Sequence, residues 1–570
     1  MKRRIIASVA AALVATMVLA GCNGNNGNEQ ASTASSSTPA TASNASASAS
    51  PTSSEEGGLS WTKDTTPFEF SQFFYGNWAT NYLWKDQLDM KLIQDKTGVS
   101  VDRKLATGND DDYLNTMIAS GDLPDTIMLD WSHPAVSKLI NNNMLYSIDE
   151  LIEKYAPEFK DMLDPEMVKY HSVNGKLWYL PNFYETKEFL KNSPPKVSVR
   201  PWFIRADILK AIDNPKIDSV ESLRSALLLI KQKFPDISPV GLEPFDVNGN
   251  GYAGSRGVPL LISAFDPNLS EESIDNDKQI VQLPVRRNGF IDAFRYLNQL
   301  YRDGLVDPQL LIFKQDQYEE RLYGAKYAVA TEYMQDMYIK FNAKIESTLG
   351  ADLKYQSLGP LKANGNDPRY EAARGMGWQG LFITKNAKNP ERIIRFAEYA
   401  WTDEGQMDMR YGKEGETYDL VDGLPKLNPD LVDLSLKDPN AYNAKYGFEN
   451  STLLWRAGEK WDQANTRDMK QNYPEMFATA SAFAEHNFDN FNLGLNNLEP
   501  DSSTPEATIS LKVKEMWNKT IPKLVLSKSD DEFNKIYDEF IGQIDKIGAE
   551  KLEKAMYQRH LMDLEKKGIQ

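Results

Sequence analysis

Between Phe68 and Trp131 the chain alternates strand-like and helix-like patterns, and this alternation limits the possible folds more than any other feature. Phe68-Glu69-Phe70-Ser71-Gln72-Phe73 has the period-two pattern of a half-buried strand, and Tyr75-Gly76-Asn77 turns the chain. Leu88, Leu92 and Ile93 recur at helical spacing within residues 83–96, and Gly98 supplies the stop. Residues 99–105 read as a second strand. Asp110 to Asp112 offer N-caps to a helix through Ala119, ended by Gly121 and Pro124. Thr126-Ile127-Met128-Leu129 is a short apolar strand that stops at Asp130-Trp131. Strand–helix–strand–helix–strand predicts a parallel, doubly wound α/β sheet. Ligands bind such sheets beyond the carboxyl ends of the strands, where Trp78, Asp130 and Trp131 fall.

The rest of the body repeats the theme. Trp202-Phe203-Ile204-Arg205 opens a second run, with helical stretches at 219–233 and 289–302. Tyr327-Ala328-Val329-Ala330-Thr331 and Gly380-Leu381-Phe382-Ile383-Thr384 read as buried strands. The remainder is mostly helical and closes with a charged amphipathic helix from about Asp530. No internal repeat of fixed period is present. At 570 residues the chain is too long for one core, so at least two domains are expected.

Composition narrows the function. A formal net charge of −17 argues against a nucleic-acid partner, which would need clustered Lys and Arg. One cysteine excludes a disulfide framework, a Cys-rich zinc site and a cysteine-ligated iron–sulfur cluster. The histidines at 133, 171, 486 and 560 spell no metalloprotease motif. Neither a phosphate-binding G-x-x-x-x-G-K-[ST] loop nor a G-x-S-x-G elbow occurs, and no segment nominates a pair of facing carboxylates, so no enzymatic activity is expected. Gly249-Asn250-Gly251-Tyr252-Ala253-Gly254 fits G-x-G-x-x-G, but Pro244 and Pro259 flank it and it reads as a turn-rich loop. The same loop, from Asp246 to Asn250, matches the start of a calcium loop. Its twelfth position is Gly257, and Ser255 and Arg256 stand where acids would help, so no metal or cofactor is expected.

Lys2, Arg3 and Arg4 precede an uncharged apolar stretch, residues 5–20, and then Leu19-Ala20-Gly21-Cys22, the lone cysteine. The stretch is short for a hydrocarbon core of ~30 Å and ends in small residues, the pattern of an export signal. It resembles a bacterial lipoprotein signal, which implies cleavage before Cys22 and lipid attachment to it. Removal of residues 1–21 would take the formal charge to −20 through loss of Lys2, Arg3 and Arg4. Residues 22–59 then form a lipidated, flexible Ser/Thr/Ala/Asn-rich linker, too poor in apolar residues to offset the entropy of ordering.

Aromatic residues are in surplus, with 11 Trp, 26 Tyr and 24 Phe, and four tryptophans, Trp78, Trp131, Trp202 and Trp378, sit at expected strand ends. An indole face complements the C–H face of a sugar ring, and charged neighbours satisfy its hydroxyls. Asp130, Arg205 and Glu332 are the expected polar partners. Trp401 and Trp461 are expected in the core.

Several motifs run in order through residues 60–560. They include Ser120-Gly121-Asp122-Leu123-Pro124-Asp125, Asn174-Gly175-Lys176-Leu177-Trp178-Tyr179-Leu180-Pro181 and Trp202-Phe203-Ile204-Arg205-Ala206-Asp207. Tyr301-Arg302-Asp303-Gly304-Leu305-Val306-Asp307-Pro308, Ile383-Thr384-Lys385-Asn386-Ala387-Lys388-Asn389-Pro390-Glu391 and Tyr411-Gly412-Lys413-Glu414-Gly415-Glu416-Thr417-Tyr418 follow. Together they resemble the family 1 extracellular solute-binding lipoproteins of bacterial ABC importers, in the long-chain branch typical of Gram-positive organisms. The resemblance implies a two-lobed, periplasmic-binding-protein-like α/β fold with hinge crossings, placed near Leu180-Pro181 and Gly359-Pro360. Lobe 1 is expected to take residues 60–183 and 326–375, and lobe 2 residues 184–325 and 376–570. The implied protein is a monomer, anchored on the extracellular face of the cell membrane through Cys22. It captures an oligosaccharide or glycoside and delivers it to the permease subunits of an ABC importer. Alternatives are a surface-anchored carbohydrate-active enzyme or a binder of peptides or other non-sugar solutes.

Overall fold

The strands of the first run form because their apolar residues find cover on both faces of one sheet. The computed structural model describes residues 58–76, 86–185, 200–245, 251–306, 308–371, 376–448, 454–456, 459–488, 493–495, 498–501, 504–567 and 569. Cys22, most of the expected linker, Trp78 and the Asp246-to-Asn250 loop lie outside the described residues. Phe68–Phe74, Val99–Lys104 and Thr126–Asp130 run parallel, with Phe70 opposite Val101 and Phe73 opposite Ile127. Ile127 and Leu129 join Phe73 on one face, while Met128 joins Phe70 and Phe74 on the other. Cover on both sides explains why Thr126–Asp130 is continuously apolar instead of alternating.

The crossovers are the helices Leu88–Thr97 and Asp110–Ser120. The first ends at Gly98, whose φ of 71° is left-handed and whose N–H donates to the Gln94 carbonyl. A Cβ there would lie 2.1 Å from the Thr65 carbonyl oxygen, so no L side chain fits without displacing backbone. The second helix is capped by Asn109, which accepts the Asp112 N–H. Asp110 to Asp112 occupy the first turn, where negative charge suits the helix dipole. Two later segments complete the sheet. Gln379–Ile383 lies antiparallel beside Thr126–Asp130, with Gln379 opposite Asp130, and Leu180–Pro181 follows it. Asp125 locks this junction, since its carboxylate accepts the Ser71 and Lys388 N–H groups, each at 2.8 Å.

A second sheet has the order Tyr355–Ser357, Trp202–Arg205, Tyr327–Thr331, Ser238–Gly241. Trp202–Arg205 is antiparallel to Tyr327–Thr331, which is parallel to Ser238–Gly241. Helices Val220–Lys233, Asn288–Arg302, Pro505–Val525 and Asp530–Ile547 share one core with it. Ser219 and Ser222 form a reciprocal capping box at the start of Val220–Lys233. Trp517 sits at the centre of this core, with ring centroids 5.2 Å from Phe294 and 5.1 Å from Phe540, and its indole N–H donates to the Tyr252 carbonyl.

The two sheets correct the expected lobe boundaries. Tyr327–Thr331 and Tyr355–Ser357, expected in lobe 1, belong to the second sheet, and Gln379–Ile383, expected in lobe 2, belongs to the first. Helices Pro390–Trp401 and Asp403–Arg410 bury Trp401 and Met409 in the first lobe, so that lobe reclaims the chain after residue 376. Helices from Pro505 onward return to the second lobe through Trp517, Phe540 and Leu552. Short, fully buried apolar strands look alike in sequence, and nothing in their pattern names the sheet they join.

Candidate ligand-binding site

Strand direction decides which residues meet at the carboxyl edge of the first sheet. The parallel strands bring Tyr75 and Asp130-Trp131 there, and Gln379–Ile383, running the other way, begins at the same edge with Trp378. Asn182 sets the backbone here, its side-chain oxygen accepting the N–H groups of Trp378 (3.0 Å) and Gln379 (3.1 Å). Gly377 has φ of 69°, and a Cβ on it would lie 2.7 Å from that same Asn182 oxygen. Trp131 donates its backbone N–H to the Trp378 carbonyl and its indole N–H to the Gly377 carbonyl, both at 3.1 Å. Gln379 donates to the Tyr75 carbonyl at 2.8 Å. Trp378 itself is 45% exposed, in a chain whose largest side chains are otherwise mostly buried. Burial pushes the Asp130 carboxyl above its ordinary value.

Behind Trp131 the support is aromatic. Its ring meets those of Tyr170 and His171 edge-on, at 6.1 and 5.4 Å. His171 is 1% exposed and its Nδ1 lies 3.0 Å from the Tyr179 hydroxyl. Burial pushes this imidazole down to about 3, against 6.5 for a free histidine. The unfolded chain therefore binds more protons between those values. Stability present above about pH 6.5 should be lost as pH falls toward 3, at up to ~1.4 kcal/mol per pH unit. Urea midpoints between pH 6.5 and 5 should fall more steeply for the wild type than for His171→Gln. Equal slopes would mean that His171 carries no such coupling.

The second sheet presents a corresponding edge. Ser238–Gly241 and Tyr327–Thr331 end there, followed by Glu243 and Glu332, and Trp202–Arg205 begins there, preceded by Arg200. Arg200 donates from Nη1 to a carboxyl oxygen of Glu243 and to Glu332 Oε1, the latter at 3.3 Å. Its guanidinium lies 5.3 Å from the centre of the Tyr333 ring. Glu243 and Glu332 are 1% and 2% exposed. Desolvation, then repulsion from Glu332, pushes the Glu243 carboxyl above its ordinary value, and desolvation does the same to Glu332. Desolvation also raises Asp336 nearby.

The chain passes between the lobes from these same edges. It leaves the first sheet after Leu180–Pro181 and reaches the second at Arg200. Past Ser357 it stays with the second lobe beyond Gly359-Pro360, where a crossing was expected, since Leu361 and Ala363 are buried in that core and Arg369 donates to Asn268 and Glu271; the first sheet resumes with Gln379–Ile383.

Of the residues expected from sequence, Asp130, Trp131 and Trp378 meet on the first edge and Glu332 lies on the second. Trp202 and Arg205 do not join them. Trp202 is 1% exposed within the second-lobe core. Arg205 ends a strand antiparallel to Tyr327–Thr331, which carries it to the opposite edge, where it pairs with Asp207 and donates to the Ala325 carbonyl. Arg200, Glu243, Asn182 and Gln379 were not anticipated. Glu243 obeys the rule that singled out Glu332, but Pro239 and Gly241 hide the strand before it.

A cavity of about 690 Å³ lined by Asp236, Arg302 and Lys528 lies at the amino end of Ser238–Gly241, away from this region. Among the described residues no helix is long and apolar enough to cross a membrane, and no group of three or more His, Cys, Asp or Glu could hold a metal ion.

No family model matches the chain. It is 23% identical over 328 residues to the fructooligosaccharide ABC transporter substrate-binding protein FusA of Streptococcus pneumoniae serotype 4. That match covers 55% of this chain and 58% of FusA, so the chain spans little more than half of that relative. A carbohydrate ABC transporter substrate-binding protein of the same organism is 20% identical over 497 residues, covering 79% of this chain and 86% of that protein. Among solved structures, S. pneumoniae FusA in complex with kestose superposes with a TM-score of 0.62 at 16% identity, covering 87% of this chain and 99% of that one. The alginate-binding protein AlgQ2 without calcium ion gives 0.61 at 18% identity, covering 87% and 98%. The chain has the two-lobed α/β fold of the ABC-transporter solute-binding proteins.

Proposed function

We propose that this protein is the extracellular solute-binding component of an ABC importer, taking up an oligosaccharide or glycoside between its lobes and handing it to the permease. The half-exposed indole of Trp378, held by Asn182 and Gly377 at the edge where the chain crosses between lobes, carries the reading. A flat apolar face beside Asp130 and Gln379 suits a sugar ring, which is apolar on its C–H face and polar around its rim. Similarity to FusA and to a second carbohydrate-binding relative supports the same class of ligand. Lipid attachment at Cys22 and a monomeric state complete the proposal, and they accord with a component that must stay near its permease.

The enzymatic alternative would need two carboxyls open to substrate. Glu243 and Glu332 are a close pair, but both are buried and tied to Arg200. Isothermal titration with neutral oligosaccharides of three to five units, followed by chromatography of the sugar, tests the proposal. The expected result is saturable one-to-one binding with the sugar recovered intact. Release of shorter sugars would favour the enzyme, and binding of peptides alone would favour the third reading.

A further inference from the structure

The carboxyl-side edge of the first sheet holds a second polar arrangement besides Asp130 and Gln379. Asp111 stands in the first turn of Asp110–Ser120, the helix that follows Val99–Lys104, so the crossover places it at the same edge as Tyr75, Asp130 and Trp378. The Tyr75 hydroxyl donates to Asp111 Oδ1 at 3.1 Å, and His133 Nε2 lies 2.9 Å from the same oxygen. His133 Nδ1 accepts the Ala135 N–H at 3.1 Å as the cap of Pro134–Asn141, so the ring hydrogen sits on Nε2 and is donated to Asp111. Burial, then the charge on Asp111, raises the Tyr75 hydroxyl above its ordinary value and keeps it a donor. The Tyr75 and His133 rings, with centroids 5.1 Å apart, brace each other.

One carboxylate oxygen thus takes both hydrogens, and the other is left open. The Asp111 side chain is 51% exposed, and its Oδ2 has no partner among the described residues. An acid that served only the helix dipole would need charge in the first turn and no fixed orientation. Here donors from beyond the ends of two different strands, Phe68–Phe74 and Thr126–Asp130, converge to fix the plane of a group that is half in solvent. Next to it Gln379, 1% exposed, donates to the Tyr75 carbonyl and leaves its Oε1 without a partner among the described residues. The edge therefore offers acceptors in excess of donors, on the same side of the sheet as the exposed indole of Trp378. The rim of a sugar ring supplies the missing donors, and a carboxylate oxygen with two acceptor sites takes two neighbouring hydroxyls.

We propose, resting on the carbohydrate-binding reading above, that Asp111 is a ligand-contacting specificity residue: Tyr75 and His133 hold its Oδ1, and Oδ2 accepts neighbouring hydroxyls of the bound sugar. Tyr75 and His133 are positioning residues. A sugar lacking one of these hydroxyls leaves the acceptor desolvated and unpaired, so the site discriminates against deoxy sugars.

The experiment titrates the full mature chain with kestose, nystose, xylotriose and maltotriose, with the trimer of glucosamine, and with the monodeoxy forms of whichever neutral sugar binds most tightly. Asp111→Asn keeps an oxygen for Tyr75 and His133 and replaces the open acceptor by an amide donor. The melting temperature should be preserved while affinity for that sugar falls about tenfold or more. Tyr75→Phe removes one of the two donors and should cost about three- to fivefold. A thermodynamic cycle isolates the contact: one monodeoxy form should bind the wild type about tenfold less tightly, and neither substitution should weaken it further. If Asp111→Asn fails to fold, Tyr75→Phe with the same deoxy series decides the matter. Equal losses for the parent sugar and every deoxy form overturn the contact and make Asp111 a structural group of the edge. Unchanged affinity in folded Asp111→Asn overturns the role of Asp111 and leaves the carbohydrate reading intact. Glucosamine trimer bound more tightly than every neutral sugar overturns the assignment to hydroxyls. Binding of no sugar overturns the underlying reading and this inference with it.

Discussion

Trp517→Ala should destabilise the second lobe by about 3–5 kcal/mol, a large share of what a domain of this size has to lose. Trp517 is fully buried among Phe290, Phe294 and Phe540, and its indole N–H is satisfied by the Tyr252 carbonyl. Truncation removes that packing and leaves the carbonyl without its donor, and the surrounding rings cannot fully close the cavity. The helix that carries Trp517 lies more than two hundred residues after Asn288–Arg302, against which it packs. A loss of this size would therefore demonstrate that the end of the chain is integral to the second-lobe core. Thermal and urea unfolding monitored by circular dichroism give the measurement. A change below ~1 kcal/mol would mean that helices from Pro505 onward are dispensable to that lobe.

Trp378→Ala is expected to do the reverse, leaving stability nearly unchanged while weakening oligosaccharide binding by about thirtyfold. At 45% exposure the indole contributes little to the core, whereas loss of a stacking tryptophan typically costs ~2 kcal/mol or more of binding. Trp202→Ala is the natural control, because Trp202 is buried and should lose stability first. Calorimetric titration of the two variants, each with its melting temperature, separates cleft from core. Unchanged affinity in well-folded Trp378→Ala would remove Trp378 from the site.

Local periodicity was enough to locate most elements of the first sheet. Phe68–Phe74, Val99–Lys104 and Thr126–Asp130 follow from alternation and apolar runs, and Gly98 ends its helix because only a left-handed conformation makes that turn. These features depend on residues a few positions apart, so the sequence displays them directly. The lone Cys22 behind its apolar stretch is likewise a local signal, though it lies outside the described residues.

Sheet membership and strand direction belong to another class of information. Tyr327–Thr331 and Gln379–Ile383 are both five-residue, fully buried strands, yet one joins the second sheet and the other the first. Arg205 was expected at the binding edge and lies at the opposite one because its strand runs antiparallel, while Arg200, at the other end of the same strand, stands beside Glu332. The amino-acid sequence by itself determined which segments are strands and helices and that aromatic and charged residues gather at strand ends. Only the tertiary structure decided which of those ends share an edge, because that choice rests on pairings between segments distant in the chain, such as Trp202–Arg205 with Tyr327–Thr331 and Thr126–Asp130 with Gln379–Ile383, and local spacing carries no record of them.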